Sequence, residues 1–396
     1  MSAAAVAGPG RRTRTLAWLD RPLADYHLVL GSCALLVILG LVMVLSASSV
    51  TSFATSGSSF AVVKKQALWV VIGIPALLVA MRLPVKAYRW LGYPMLALSV
   101  VLLVAVLVPG VGASVNGARR WITLPGGFQL QPSEPTKLAL LLWGADLLAR
   151  KDRLLGQWRH LLVPLLPITL LLAGLVMVEP DMGTTIVLVT VTCALLWVAG
   201  APLALFGGTG LALGGGLGVL AAAAPYRLAR LTSFTDPFRD PQGSGYQAVQ
   251  GLYALSSGGW WGLGLGASRE KWFYLPNQYT DYIYAVIGEE LGLIGACSVL
   301  ALFAMLGYAG LRIALRNTDP FTRLAAAGIT AWLVSQALVN IGFVTGLLPV
   351  TGIPLPMVSF GGSSLVPTMF AVGMLASFAR REPDAVALLA ARRRGR

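Results

Sequence analysis

Long apolar tracts separated by short polar segments make up most of this chain, and they lack the strict alternation of a half-buried strand. A helix needs about 20 mainly apolar residues to span a bilayer. The tracts are too long and too continuously apolar for the strands of about 10 residues in an outer-membrane barrel. The pattern therefore predicts a helical bundle with spans near 27–47, 66–82, 93–111, 134–149, 160–178, 183–199, 203–223, 282–311, 324–346 and 358–379.

The composition agrees with this pattern. Of the 396 residues, 56% are hydrophobic and only 12% are charged, which describes a chain whose solvent is mostly lipid. We predict an all-α polytopic membrane protein with about ten transmembrane helices in a domain covering 27–379. A disordered basic segment, 1–26, is expected before it and a basic cytoplasmic tail, 380–396, after it.

Lysine and arginine decide the predicted orientation. With an even number of spans both termini lie on one side, and that side carries 20 of the 30 lysines and arginines. Cytoplasmic loops carry an excess of these residues, so both termini are predicted to be cytoplasmic. The net charge of +14 then reflects topology, and it does not call for a nucleic-acid partner.

Two predicted extracytoplasmic loops are long, one near 112–133 and one near 224–281, between the seventh and eighth spans. Long loops in compact proteins are more often functional than the short connections. The second loop mixes basic residues with glycine-rich turns and many aromatic residues, a composition suited to the headgroup region with cations facing phosphates. A plain aromatic belt with incidental charge is the alternative.

Asp281 is the most informative carboxylate, because it lies where the second loop runs into the eighth span. A charge at that boundary is costly and is expected to have a reason. The alternative reason is interaction with the N-terminal dipole of the eighth span. Glu134 and Lys137, three residues apart on one face of the fourth span, form either a structural pair or part of a site.

Four further carboxylates complete the polar set near the membrane. Asp181, in the short turn that also holds Glu179, is placed to cap the sixth span. Glu289 and Glu290 lie two turns into the eighth span, so at least one is expected to face the protein interior or a wet cavity.

Several kinds of chemistry find no support in the sequence. There is no GxxxxGK[ST] motif, and the glycine clusters lack the strand-turn-helix context of a dinucleotide fingerprint. Three scattered cysteines and two histidines argue against a disulfide framework, a zinc site or histidine-based catalysis. No cofactor is identified, and any reaction must draw on a substrate that is already activated.

Six sequence motifs give the chain a strong resemblance to a known family. They are VNGARRWI (115–122), QPSEPTKL (131–138), EPDMGT (179–184), PYRLARLTSFTDPFRDPQGSGYQ (225–247), GLGLGASREKWFYLPNQYTDYIYAVIGEELG (262–292) and QALVNIGFVTGLLPVTGIPLPMVSFGGSSL (336–365). In order and spacing they resemble the SEDS family (shape, elongation, division and sporulation), and more closely its division branch than its elongation branch. The chain departs from the family pattern at Asn277, Gln278 and Tyr279, where many relatives have a Glu and a His, and at Glu179, where a Gln is common.

The resemblance implies a peptidoglycan glycosyltransferase that polymerises lipid II at the division septum, on the outer face of the bacterial cytoplasmic membrane. It makes Asp281 the catalytic base. Lys271 and Arg230 are then the leading pyrophosphate contacts, with Arg227 and Arg239 behind them, and Glu134 and Lys137 shape the floor of the cavity. A divalent cation, Mg²⁺ or Mn²⁺, suits such chemistry, although no ligand spacing identifies a site.

The resemblance also implies partners: lipid II, the nascent glycan strand, a class B penicillin-binding protein and other divisome membrane proteins. Exposed apolar faces of the eighth and ninth spans are reasonable places for the penicillin-binding protein. Two other functions stay open at this point, a lipid II flippase and a non-catalytic scaffold that recruits the septal transpeptidase. A flippase should place charges along a path through the membrane, whereas the motifs that carry charged residues here cluster on the predicted outer side.

Overall fold

The structure is a computed structural model that describes residues 21–115, 118–124, 128–154, 157–208, 234 and 236–394. Helices dominate these residues. They are α1 (Ala24–Ser56), α2 (Ala61–Arg82), α3 (Val85–Leu107), α4 (Ser133–Arg150), α5 (Trp158–Leu162), α6 (Leu165–Val178), α7 (Met182–Val198), α8 (Tyr246–Ser257), α9 (Ile283–Arg316), α10 (Pro320–Val344), α11 (Gly362–Ala379) and α12 (Pro383–Arg394).

Among the described residues, seven helical segments are long and apolar enough to cross a membrane. They are α1, α2, α3, the α5–α6 pair, α9, α10 and α11. Of the other predicted spans, α7 is apolar but shorter, and α4 carries the charges of Glu134, Lys137 and Asp146 along its length. The prediction of a polytopic helical membrane fold is confirmed, and the count of ten spans stays a prediction because 209–223 of the seventh span lie outside the described residues.

One end of the bundle is held together by ion pairs between its two terminal regions. Asp25, at the start of α1, forms ion pairs with Arg312 at 3.3 Å and with Arg316 at 3.6 Å, both near the end of α9. Arg316 also reaches Glu382, just before α12, at 3.6 Å. The start of α1, the end of α9 and the start of α12 therefore share one end of the bundle, and the start of α9, with Asp281, lies at the opposite end.

The first long loop is not wholly irregular. It forms an antiparallel sheet of β1 (Gly112–Val115), β2 (Ala118–Leu124) and β3 (Phe128–Leu130), in that order. Ile122 faces Gly112 on one side and Leu130 on the other. The sequence predicted only a long loop here, and the structure shows that its strands satisfy one another's backbone groups.

A break at Gly292 divides α9 into two helices. Gly292 has φ +67° and ψ −166°, a conformation that residues with a side chain rarely adopt. The break removes helical partners from nearby backbone groups, and the preceding loop replaces them. Leu263 N donates to Glu289 O at 2.9 Å, and Leu293 N donates to Gly259 O at 2.9 Å. The first half, 283–291, is thus a short buried helix that begins next to Asp281.

The connection between α10 and α11 turns back into the bundle. Residues 345–361 leave and re-enter at the same end, and they reach the middle of α1. A Cβ on Gly40 would lie 2.8 Å from Met357 O and from Val358 Cα, so only a glycine lets the two backbones approach this closely. The prediction that the last span begins near 358 is therefore wrong by one turn, because 358–361 belong to this connection and the helix starts at Gly362.

Candidate active site

Asp281 lies just before the short half of α9, with its side chain half-buried. The backbone around it is fixed by three successive carbonyl groups. Tyr279 O accepts from Phe360 N at 3.0 Å, Thr280 O from Ser359 Oγ at 2.6 Å, and Asp281 O from Asn340 Nδ2 at 2.8 Å. The segment is thus held by the re-entrant connection and by α10, elements far from it in sequence.

The Asp281 carboxylate faces the backbone of Gly352. This glycine has φ +71°, and a Cβ placed on it would be 3.5 Å from Asp281 Oδ2. Thr351 and Ile353 on either side contact Gly183, at the start of α7. The start of α7 and the re-entrant connection therefore meet near the carboxylate.

Glu134 and Lys137 form a fully buried ion pair, with Nζ 2.8 Å from Oε2. The same Nζ donates to Gln336 Oε1 on α10 at 2.8 Å, and that oxygen also accepts from Trp332 Nε1 at 2.8 Å. Gln336 Nε2 in turn donates to Pro354 O at 2.9 Å. The pair is linked in this way to the re-entrant connection, and neither charged side chain lies on an open surface in this structure.

Lys271 lies in a second buried cluster. It is 4% exposed, and its Nζ lies 3.6 Å from Glu290 Oε1 and donates to Gly266 O. Glu290 also accepts from Ser46 Oγ on α1 at 2.6 and 2.7 Å and from Ser268 N at 3.2 Å. The lysine predicted to contact pyrophosphate is therefore placed where it fastens the loop to α9, and Glu290 joins both to α1.

Glu289 completes this cluster. Its carboxylate accepts from Ser268 Oγ at 2.5 Å and from Arg269 N at 2.7 Å. Both glutamates expected near the interior of the eighth span are buried, so the loop around Ser268 carries the donors that allow two carboxylates there.

The predicted arginine contacts divide between exposed and undescribed positions. Arg239 is exposed at the end of a short 3₁₀ turn, Pro237–Arg239. Arg227 and Arg230 lie outside the described residues. Among the residues that the structure describes, Lys271 and Arg239 share no contact.

The turn between α6 and α7 holds two carboxylates that differ in their hydrogen bonding. Asp181 caps α7, accepting from Thr184 N at 3.1 Å and from Gln131 Nε2 at 3.0 Å. Glu179 is fully buried, and neither of its carboxylate oxygens has a hydrogen-bond partner within the described part of the chain. Burial, with the Asp181 carboxylate adding to it and Arg120 opposing it, raises the pKa of Glu179 to about 8.

A groove of about 270 Å³ opens at the same end of the bundle, between the 3₁₀ turn, α8 and the end of α10. Phe238, Leu252, Phe343 and Leu348 are among its apolar walls. Phe343 packs edge-on against Tyr282, next to Asp281, with ring centroids 5.5 Å apart. Within the residues that the structure describes, no group of three or more His, Cys, Asp or Glu side chains is arranged to hold a metal ion.

Sequence reasoning missed the uncharged residues that position the site. Gln336, Asn340 and Ser359 hold the region around Asp281, and Gly352 provides its close backbone neighbour. The two amides carried a usable signal, because polar residues one helical turn apart inside an apolar span are costly unless they have partners.

Comparison with known proteins gives one family over nearly the whole chain. The family model FtsW/RodA/SpoVE, described as "Cell cycle protein", matches residues 26–383. The chain is 46% identical over 382 residues to the "Probable peptidoglycan glycosyltransferase FtsW" of Mycobacterium tuberculosis, an alignment that covers 96% of this chain and 73% of that protein. It is 43% identical to "Stage V sporulation protein E" of Bacillus subtilis, covering 87% of this chain and 94% of that one.

Solved structures agree. A chain from "Structural coordination of polymerization and crosslinking by a peptidoglycan synthase complex" superposes with a TM-score of 0.72 at 29% identity, over 92% of this chain and 99% of that one. The crystal structure of the rod shape determining protein RodA of Thermus thermophilus superposes with a TM-score of 0.65 at 27% identity, over 93% and 99% of the two chains.

Proposed function

Because the chain belongs to the FtsW, RodA and SpoVE family of cell cycle proteins, we propose that it is a peptidoglycan glycosyltransferase with Asp281 as its catalytic base. It joins lipid II units into glycan strands for septal wall synthesis. The observation that carries the assignment is the position of Asp281: a half-buried carboxylate at the end of a polar loop, on backbone held at three successive carbonyls.

The chemistry needs little more than a base and a binding site for the leaving group. A sugar on undecaprenyl pyrophosphate already carries a good leaving group, so neither a nucleotide nor a strong general acid is required. Asp281 accepts the proton of the 4-hydroxyl of the acceptor GlcNAc while that oxygen attacks the anomeric carbon of the growing chain. The bond to pyrophosphate breaks, its electron pair leaves with the pyrophosphate, and one inversion gives the β-1,4 linkage.

Cations at the same end of the bundle are proposed to bind the pyrophosphate. Arg239 is supported by its exposure beside the apolar groove. Arg227 and Arg230, outside the described residues, remain predictions, as does Lys271, whose ion pair with Glu290 offers it a structural role instead. Glu134 and Lys137 are proposed to support the floor of the site through Gln336.

We place this chain in the cytoplasmic membrane at the division septum, with Asp281 on the outer face. The family and the apolar helices support a multi-pass membrane protein. A transpeptidase of the penicillin-binding class is the proposed partner, because a chain of similar fold belongs to a complex that coordinates polymerization and crosslinking. The exposed residues Leu293, Ile294 and Leu311 of α9 are proposed for its membrane contact, since most of α10 is buried.

Polymer formation from labelled lipid II by the purified full-length protein, alone and with its transpeptidase partner, tests the function. We expect glycan strands from the wild type and a loss of at least about 100-fold for Asp281→Asn, the scale of a removed general base. Asp319→Asn is the matched control. Asp319 caps α10 at the opposite end of the bundle by accepting from Thr322 N at 2.8 Å, and Asn caps equally well.

The same assay separates the alternatives. Equal polymer from Asp281→Asn and wild type removes Asp281 from the mechanism. No polymer from either, with an active partner present, favours the flippase or the scaffold. The divalent cation stays a prediction: polymer formation that stops with a chelator and returns with Mg²⁺ or Mn²⁺ supports it.

A further inference from the structure

Asn340 lies between the catalytic segment and the re-entrant connection. It is in α10 and is 0% exposed. Its Nδ2 donates to Asp281 O at 2.8 Å and to Ile353 O at 2.8 Å, so both amide hydrogens are used. One side chain thereby joins the backbone that carries the carboxylate to the backbone next to Gly352, against which that carboxylate lies.

The bond to Asp281 O fills a position that the helix cannot fill for itself. The first helical bond at the start of α9 runs from Ala285 N to Tyr282 O, at 2.9 Å, so the carbonyl of Asp281 lies one residue outside the helical pattern. Asn340 supplies the donor for it. The peptide plane between Asp281 and Tyr282 is therefore set by a side chain of another helix.

Stability alone gives a weak reason for an amide at this position. A buried polar group is costly unless all of its hydrogen bonds are made. Asn340 Oδ1 is buried and has no hydrogen-bond partner within the described residues. The two N–H donors of the amide are used and its oxygen is not, so any benefit of an amide at this position comes from the two bonds that it donates.

We propose that Asn340 is a positioning residue for the glycosyl transfer. By fixing the Asp281–Tyr282 peptide plane and tying it to Ile353, it sets the direction of the Asp281 carboxylate. The inference rests on the proposed function, in which Asp281 is the base, and adds a residue that touches neither substrate nor reacting atoms. Because a displacement of about 1 Å can cost about 100-fold in rate, loss of this tie acts on kcat and leaves the binding of lipid II intact.

Two substitutions and one matched control test the role. Asn340→Leu keeps the volume of the side chain but donates no hydrogen bond, and Asn340→Gln keeps the donors but shifts them by one methylene. Asn317→Leu is the control, because Asn317 is another buried amide, 6% exposed, that donates to two carbonyls, Ile313 O at 2.8 Å and Phe378 O at 3.3 Å. It lies at the end of α9, away from Asp281.

Two measurements are made on the full-length proteins: steady-state polymerisation over a range of lipid II concentrations, and amide hydrogen exchange of the peptides covering 277–284 and 350–356. For Asn340→Leu we expect kcat to fall at least about 10-fold with KM within about twofold. The exchange rate of the backbone N–H groups in the two peptides should rise about 10-fold. Each segment loses the one hydrogen bond that ties its carbonyl to Asn340, and it therefore opens more readily. Asn340→Gln should lose less activity, and Asn317→Leu should change neither measurement.

Hydrogen exchange keeps this proposal separate from the proposed function. If the wild type makes no polymer, the proposed function fails, and the exchange of 277–284 still decides whether Asn340 fixes the segment. Unchanged exchange and unchanged kcat in Asn340→Leu overturn the proposal. So does an equal loss of kcat in Asn317→Leu, or a rise in KM without a fall in kcat. If Asn340→Leu does not fold, a lowered kcat with unchanged KM in Asn340→Gln supports the proposal, and wild-type kinetics in that variant reject it.

Discussion

Two alternative roles for Lys271, a contact with pyrophosphate and an ion pair with Glu290, can be separated by a double substitution. As a pyrophosphate contact its charge is needed for catalysis, whereas in the structure its Nζ lies 3.6 Å from Glu290 Oε1 and the side chain is 4% exposed. In the structural role the charge only balances Glu290. Lys271→Met, Glu290→Gln and the double variant therefore have different expected outcomes under the two roles.

The magnitude follows from the contacts that remain. Breaking a buried ion pair by removing one partner costs about 3–5 kcal/mol, because a buried charge is left uncompensated. In Lys271→Met, Glu290 keeps its bonds from Ser46 Oγ at 2.6 and 2.7 Å and from Ser268 N at 3.2 Å, so we expect the lower end, about 3 kcal/mol. In the double variant no charge is left unpaired, and stability should return to within about 1 kcal/mol of the wild type.

Thermal unfolding and polymer formation are measured on all four proteins, with Lys65→Met as the control for the same substitution at an exposed lysine. The structural role predicts that both single variants lose stability and that the double variant regains stability and activity together. A stable double variant that makes no polymer would show that the Lys271 charge serves catalysis. Single variants as stable as the wild type would refute the reasoning about the ion pair.

Two further predictions concern the surroundings of Asp281. Gly352→Ala should lose about 1–2 kcal/mol of stability because of its φ of +71°. The backbone shift that relieves this strain lies beside the Asp281 carboxylate, so kcat should also fall at least about 10-fold. Gly346→Ala, at φ +75° and nearest to Leu252, should share only the stability loss. Burial raises the pKa of Glu179 from its ordinary value of 4.5 to about 8, so the folded state holds the proton more tightly than the unfolded chain does. The resulting contribution to stability is complete below pH 4.5 and is lost as pH rises to about 8. Glu179→Gln should therefore lose less thermal stability than the wild type between pH 6 and pH 8.5, and parallel losses would contradict this account.

Features of the fold that depend on neighbouring residues could be predicted from the sequence, and features that depend on residues distant along the chain could not. Bilayer thickness fixes how long an apolar tract must be, so the spans around α1, α2 and α9 could be read from the chain itself. The break at Gly292 could not, because it depends on loop residues such as Gly259 and Leu263 supplying partners for the interrupted helix. Neither residue shows this role in its local pattern.

The sequence by itself determined the class of membrane fold, the family, and the position of Asp281 at the boundary between a polar loop and an apolar span. Each of these depends on local composition or on the order of the sequence motifs. Tertiary structure alone decided what surrounds that carboxylate. Ser359 and Gly352 reach it only because the connection between α10 and α11 turns back into the bundle. Asn340 reaches it because α10 packs beside the start of α9. Lys271 meets Glu290 only because the loop folds over the break in α9. Hydrogen bonds and ion pairs act over a few ångströms in space, and no periodicity along the chain records which distant residues the fold brings within that range.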